Sequence, residues 1–232
     1  MTVKKDQKAF TLCHLKLLIR LALLLSAAAI HIVTGDLMAY SCFLALVWIT
    51  LFVDGLLKLF PLKYEAMGSQ KQFKKNFAPA KDKAKAKMAS GKKVILVAAL
   101  WVVLNAIIAH LYFKSIIDAG IMVIISLFYS VCDMICILFF CPFQRWFLGN
   151  RCCTTCRIYN WDFAMMFTPM LFIGGGFALS LALVSLALLV RWELTYKLHP
   201  ERFSPSANKS LECANCREKL CLHNPHLLKK RS

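Results

Sequence analysis

Two groups of cysteines are spaced for metal or redox chemistry: Cys141, Cys152, Cys153 and Cys156 in one stretch, and Cys213, Cys216 and Cys221 near the carboxyl end. Each group contains a Cys-x-x-Cys, Cys153/Cys156 and Cys213/Cys216. That is knuckle spacing, in which a tight turn offers two thiolates and spare backbone N–H groups to one ion. Two knuckles together make a tetrahedral four-thiolate site with Zn–S distances of about 2.3 Å. Structural zinc is the first expectation, because a reducing cytosol leaves thiols to metals rather than to disulfides. It would tie the two stretches with folding free energy on the order of 10 kcal/mol. An iron–sulfur cluster held by Cys152, Cys153, Cys156 and the tail thiols is the second. Thiol–disulfide exchange is the third, with Arg151 and Arg157 beside the first knuckle favouring thiolate. His223 and His226, next to Cys221, could replace one thiolate. The single cysteines Cys13 and Cys42, and the pair Cys132 and Cys136 one helical turn apart, read as packing, since buried cysteine behaves as a small hydrophobe.

A second set consists of polar side chains within apolar runs, where ionisable groups are costly enough to mark sites. Asp54 and Asp133 lie at similar depth in their runs. Lys58, four residues after Asp54, offers a local ion pair, whereas Asp133 has no such neighbour beyond Tyr129. Asn105, mid-run, is expected to make an interhelical hydrogen bond. His31 and His110 fall near the ends of their runs on one side, an arrangement that axial haem ligation or a quinone-type hydrogen bond would use; two residues make haem the weakest of the cofactor expectations.

These residues must be positioned by a membrane protein. Of 232 residues, 59% are apolar and 18% charged, and the mean hydropathy is +0.59. A soluble domain carries roughly a quarter charged residues. Runs at 11–33, 37–60, 94–114 and 118–140 are each long enough to cross about 30 Å of hydrocarbon as a helix. The first lacks a small-x-small cleavage pattern and is followed at once by the second, so it is expected to remain in the protein. Short connections at Thr34-Gly35-Asp36 and around Lys114 to Ile117 make the four runs two antiparallel hairpins. The expected fold is all-α, a polytopic integral membrane bundle of four clear transmembrane helices and a fifth segment at 163–190. Gly174-Gly175-Gly176 near the middle of that segment weakens a continuous helix. The segment either crosses once or breaks and returns; the basic residues that follow it, Arg191, Lys197, Arg202 and Lys209, favour the return.

The charge is one-sided, 29 Lys and Arg against 12 Asp and Glu, for a net +17. Lys63, Lys71, Lys74, Lys75, Lys81, Lys83, Lys85, Lys87, Lys92 and Lys93 fill the 61–93 loop, and the hairpin tips are nearly free of such residues. Basic loops stay in the cytoplasm. The expected location is therefore the cell membrane, multi-pass, with a cytoplasmic amino terminus. The loop is expected to be a solvated connector, or to rest on anionic lipid through interleaved Phe73 and Phe77. Nucleic acid is not an expected partner; a membrane complex or a homo-oligomer is.

The chain divides as 1–60 (amino terminus and first hairpin), 61–93 (Lys-rich loop), 94–140 (second hairpin), 141–162 (Cys-rich loop), 163–190 (fifth segment) and 191–232 (basic, Cys-rich tail). Nucleotide-binding and hydrolase signatures such as G-x-x-x-x-G-K-S/T and G-x-S-x-G are absent from the sequence. The expected function is a cysteine-rich cytoplasmic metal centre, zinc or iron–sulfur, the latter giving membrane electron transfer. The rival expectations are a non-enzymatic assembly subunit with structural zinc, and a small oligomeric transporter using Asp54, Asp133 and Asn105.

Overall fold

The computed structural model describes residues 3–61, 69–80, 91–148, 156–212 and 215. Its helices are α1 (Val3–Thr34), α2 (Ser41–Lys58), α3 (Ser69–Gln72), α4 (Gly91–Phe113), α5 (Ala119–Leu138), α6 (Asp162–Ile173) and α7 (Gly175–Leu198). Among the described residues, five stretches are long and apolar enough to cross a membrane: Leu12–Thr34 of α1, and α2, α4, α5 and α7. The protein is an all-α polytopic bundle. Large apolar side chains such as Leu18, Leu25, Val102 and Leu183 point outward and stay exposed, as a surface solvated by hydrocarbon requires.

Local chemistry sets the turns. Gly35 takes φ +75° at the first hairpin tip, after which Asp36 Oδ1 accepts from Met38 N–H (2.8 Å). At the second tip Asp118 caps α5 by accepting from Ile121 N–H (2.8 Å), satisfying an otherwise orphaned donor. Helices α1 and α5 are antiparallel: His31 lies beside Asp118 at one end, and Cys13 packs with Met134 and Leu138 at the other.

The fifth apolar run breaks and returns. Pro169 sits inside α6, and Gly174 adopts φ 74°, ψ −168°, a region open essentially to glycine alone. At 12 residues, α6 is about 18 Å long, too short to cross the hydrocarbon layer on its own. Helix α7 then runs back beside it, so that Trp161, at the start of α6, donates to Glu193 near the end of α7 (2.6 Å). α7 continues to Leu198, two turns past the apolar run, because its polar residues there find partners: Arg191 donates to the Leu59 carbonyl (2.5 Å). α2 and α7 run side by side in the same direction, with Trp48 donating to Ser180 Oγ (2.8 Å). Gly55 lies so close to Val184 and Phe163 that no side chain fits between them.

The main core draws on α1, α2, α5, α6 and α7, with Leu51, Leu127, Phe163, Phe167 and Leu181 fully enclosed. Helix α4 stands at the edge, packed chiefly on α6. The bundle therefore has one end made of the two hairpin tips and another that gathers the 69–80 segment, the 156–161 turn and the tail from 199. The 69–80 segment departs from the expected solvated connector. Gln70, Lys71, Gln72 and Phe73 are buried, the Phe73 ring meets Trp192 edge-on (5.0 Å), and Pro79 pairs antiparallel with Asn208 of the tail.

Candidate functional site

Arg20 occupies the middle of the buried stripe Cys13, Arg20, Ala27, which recurs every seven residues along α1 and faces α5. It is 2% exposed, a placement that only paired charge tolerates. One guanidinium nitrogen donates to the Ser130 carbonyl (2.8 Å) and to Asp133 Oδ2 (3.3 Å) on α5. The other donates to Asp54 on α2. Lys16, one turn earlier, donates to the second oxygen of Asp54 (2.6 Å). Lys58 turns to Asp162 at the start of α6 and lies 4.4 Å above the Phe163 ring. Three cations and three carboxylates thus join α1, α2, α5 and α6 below the basic end of the bundle.

The pairings differ from the expected ones. Asp54 takes Lys16 and Arg20 as its partners, and Lys58 crosses to another helix. Asp133 is met by Arg20. The missed residues are Lys16 and Arg20; their signal was present, since they are the charges interrupting the first apolar run at i, i+4, on one helical face. Asp162 serves inside the first turn of α6 and accepts from Phe163 N–H (2.9 Å), where an anion also favours the helix dipole.

Above the network lies a polar rim. Asn160 donates to Gln72 Oε1 (3.0 Å). Arg157 forks onto both carboxylate oxygens of Glu193, 2.6 Å to Oε1, and its guanidinium lies 3.8 Å from the Tyr196 ring. Arg157 is therefore engaged by α7.

Of the proposed metal ligands, Cys141 and Cys156 are described. Cys141 follows the end of α5 and shares a hydrogen bond with Cys136. Cys156 is 6% exposed and packs with Val97 and Ile158. Cys152, Cys153, Cys213, Cys216 and Cys221, with His223 and His226, lie outside the described residues. Among the described residues no three His, Cys, Asp or Glu side chains converge on a metal-sized space. Cys13 is core, and Cys42 is exposed.

His31 Nε2 lies 3.5 Å from Asp118 Oδ2, and His110 is exposed on α4. Asn105 is buried, but its amide donates within its own helix, to the Trp101 carbonyl (2.9 Å), instead of to a neighbouring helix. Its Oδ1, the Trp101 Nε1 and His31 Nδ1 have no hydrogen-bond partner among the described residues. Comparison with protein-family models, with curated proteins and with solved structures found no match to the chain.

Proposed function

We propose that the protein is a multi-pass protein of the cell membrane, with a cytoplasmic amino terminus, whose basic end carries a thiolate metal centre. Two thiolates would come from the 141–162 loop, Cys153 and Cys156, and two from the tail, Cys213 and Cys216. Cys141, Cys152 and Cys221 stand close enough in sequence to substitute. Zinc is the favoured ion and would fix the tail to the loop; an iron–sulfur cluster at the same thiols would make the protein a membrane electron carrier.

One observation carries this reading. The α6–α7 hairpin, clamped by Arg157 and Trp161 on Glu193, returns the chain to the end at which the Cys-rich loop leaves the bundle. A single crossing would have put the two clusters on opposite sides.

The test is metal content per chain and the visible spectrum of protein purified anaerobically in detergent. One zinc per chain, lost alike in Cys153→Ser and Cys213→Ser, supports the joint site. Iron with sulfide and a band that bleaches on reduction supports the electron carrier. Metal retained in both variants, or labelling of Cys213 or Cys216 from outside intact cells while Cys153 stays protected, overturns it.

The buried network favours a second reading, transport of an ion or small solute by an oligomer, because six ionisable side chains from four helices meet inside the bundle. Flux in liposomes that is lost in Asp133→Asn and unchanged in Cys153→Ser would select it. Zinc without flux would leave a non-enzymatic assembly subunit.

A further inference from the structure

The way α5 ends brings two cysteines together. Phe139 and Phe140 N–H both donate to the Ile135 carbonyl (2.8 and 3.1 Å), which turns the chain tightly past Leu138. Pro142 disfavours helix at the residue before it, and Cys141 stands outside the helix. Cys141 thereby comes back beside the last turn of α5, where it shares a hydrogen bond with Cys136. Both thiols are reduced and half-buried. The helix end that carries them is anchored: Met134 and Leu138 pack with Cys13 of α1, the His14 ring meets Phe139 edge-on (6.1 Å), and Phe140 meets Trp146 in the same way (5.5 Å).

A disulfide needs Cβ atoms about 3.5–4.5 Å apart and sulfurs about 2 Å apart. Cys132 and Cys136, one turn apart on a regular helix, hold their Cβ atoms at about 5–6 Å, so that pair does not close unless α5 unwinds. Cys141 is off the helix, and its sulfur is already in contact with that of Cys136. Closing them takes a side-chain rotation and a small shift of the segment after Phe139. Among the described residues no three His, Cys, Asp or Glu side chains converge on a metal-sized space, so the pair lacks the third ligand a metal would want. Redox chemistry needs only the two sulfurs.

We propose that Cys136 and Cys141 are a dithiol centre, oxidised reversibly to an intrachain disulfide by exchange with a small-molecule disulfide. The sulfur of Cys141, outside the helix, attacks one sulfur of the incoming disulfide; the S–S bond of the oxidant breaks, and the departing thiolate takes the Cys141 proton. The sulfur of Cys136 then attacks Cys141 Sγ and expels the second half of the oxidant, which leaves with the Cys136 proton. Two thiols of the protein have lost two electrons and two protons, and one disulfide has become two small thiols. Exchange of this kind needs an attacking sulfur and a resolving sulfur within reach and no bound cofactor. In a reducing compartment such a disulfide forms transiently. The inference stands apart from the proposed metal centre, whose four thiolates are Cys153, Cys156, Cys213 and Cys216: metal content decides that reading, and the state of one peptide decides this one.

The experiment treats the full chain in nanodiscs with oxidised glutathione, alkylates it with a light reagent, reduces it, alkylates it with a heavy one and cuts it with trypsin. Cys132, Cys136 and Cys141 all fall between Lys114 and Arg145, so one peptide carries the three. Heavy label is expected on Cys136 and Cys141 and light label on Cys132, with return to light label throughout after reduced glutathione. Cys136→Ser should trap glutathione on Cys141. Cys141→Ser should gather it on Cys136 about tenfold more slowly, because access and the sulfur attacked set the rate of exchange. Cys132→Ser should behave as the parent. Separate glutathione adducts on the two cysteines of the parent, light label on both, a disulfide from either one to Cys132, Cys152 or Cys153, or oxidation by hydrogen peroxide and not by oxidised glutathione overturns the proposal.

Discussion

Arg20 on α1 donates to Asp54 on α2 with one arm of its guanidinium and reaches Ser130 and Asp133 on α5 with the other. A single side chain thus joins three helices, and it does so where water does not screen it. Arg20→Leu would leave Asp133 without the cation it meets and Asp54 with Lys16 alone. Breaking a buried pair on one side costs about 3–5 kcal/mol, so the thermal midpoint in detergent should fall steeply. Arg20→Lys should sit between, because an ammonium lacks the planar fork that serves partners in two directions. Adding Asp54→Asn and Asp133→Asn to Arg20→Leu should recover much of the loss. An Arg20→Leu protein that melts with the parent would remove the network from the account of stability.

The contact between α2 and the α6–α7 hairpin depends on Gly55. A Cβ there would lie 2.8 Å from Val184 Cγ1 and 2.9 Å from Phe163 Cε1, closer than packed atoms tolerate. Gly55→Ala should cost about 1–3 kcal/mol through overpacking. Gly176→Ala adds a Cβ with nothing within 4 Å and should stay within about 0.5 kcal/mol of the parent. Gly174→Ala forces an alanine into φ +74° and should cost about 1–3 kcal/mol by strain alone. Thermal melts of the three variants check the order; equal effects at residues 55 and 176 would mean that the hairpin does not pack on α2 as described.

Glu193 receives Arg157 on both oxygens and Trp161 on one, which makes it the clasp between the end of the Cys-rich loop and α7. Charge-assisted forked bonds are among the stronger ones. Glu193→Ala should let the 156–161 turn open and expose Cys156, which is buried against Val97 in the intact protein. Maleimide modification of Cys156 should then quicken about tenfold, the change that about 1.4 kcal/mol of lost closure gives. An unchanged rate would place the clasp elsewhere.

Much of this architecture is legible in the residues. Hydrophobic run length and the clustering of lysines give the spans, the hairpins and the end at which the loops gather. Asp54 and Asp133 announce themselves as buried charges. Partner choice is not legible, because periodicity says which face of a helix is buried but not which helix lies opposite. Lys58 has Asp54 within reach on its own helix, yet pairs with Asp162 once α6 packs there. The extent of α7 is hidden for a related reason: Arg191 and Glu193 look like the start of a tail until Leu59 and Arg157 appear beside them. The burial of Gln72 and Phe73 is likewise a tertiary effect, since their neighbours in sequence are lysines.

The link between the Lys-rich loop and the tail rests on Asn208, which is 0% exposed. Its amide donates to the Lys71 carbonyl (3.2 Å) and the Arg202 carbonyl (2.9 Å). Its Oδ1 accepts from Ser210 N–H (3.1 Å) and Ala78 N–H (3.4 Å). Backbone bonds from Lys209 to Ala78 (2.8 Å) and from Ala80 to Ala207 (3.0 Å) flank it. Asn208→Ala would strand several of these groups in a buried place, at about 1–3 kcal/mol for each one left without water. The local pairing should open well before the bundle melts, because local openings cost less than global unfolding. Trypsin should therefore cut after Arg202 and Lys209 many times faster in Asn208→Ala, while the far-ultraviolet spectrum and the detergent melt of the helices change little. Cleavage at the parent rate would show that the tail is held by other contacts, and that the buried asparagine is not what joins it to the loop.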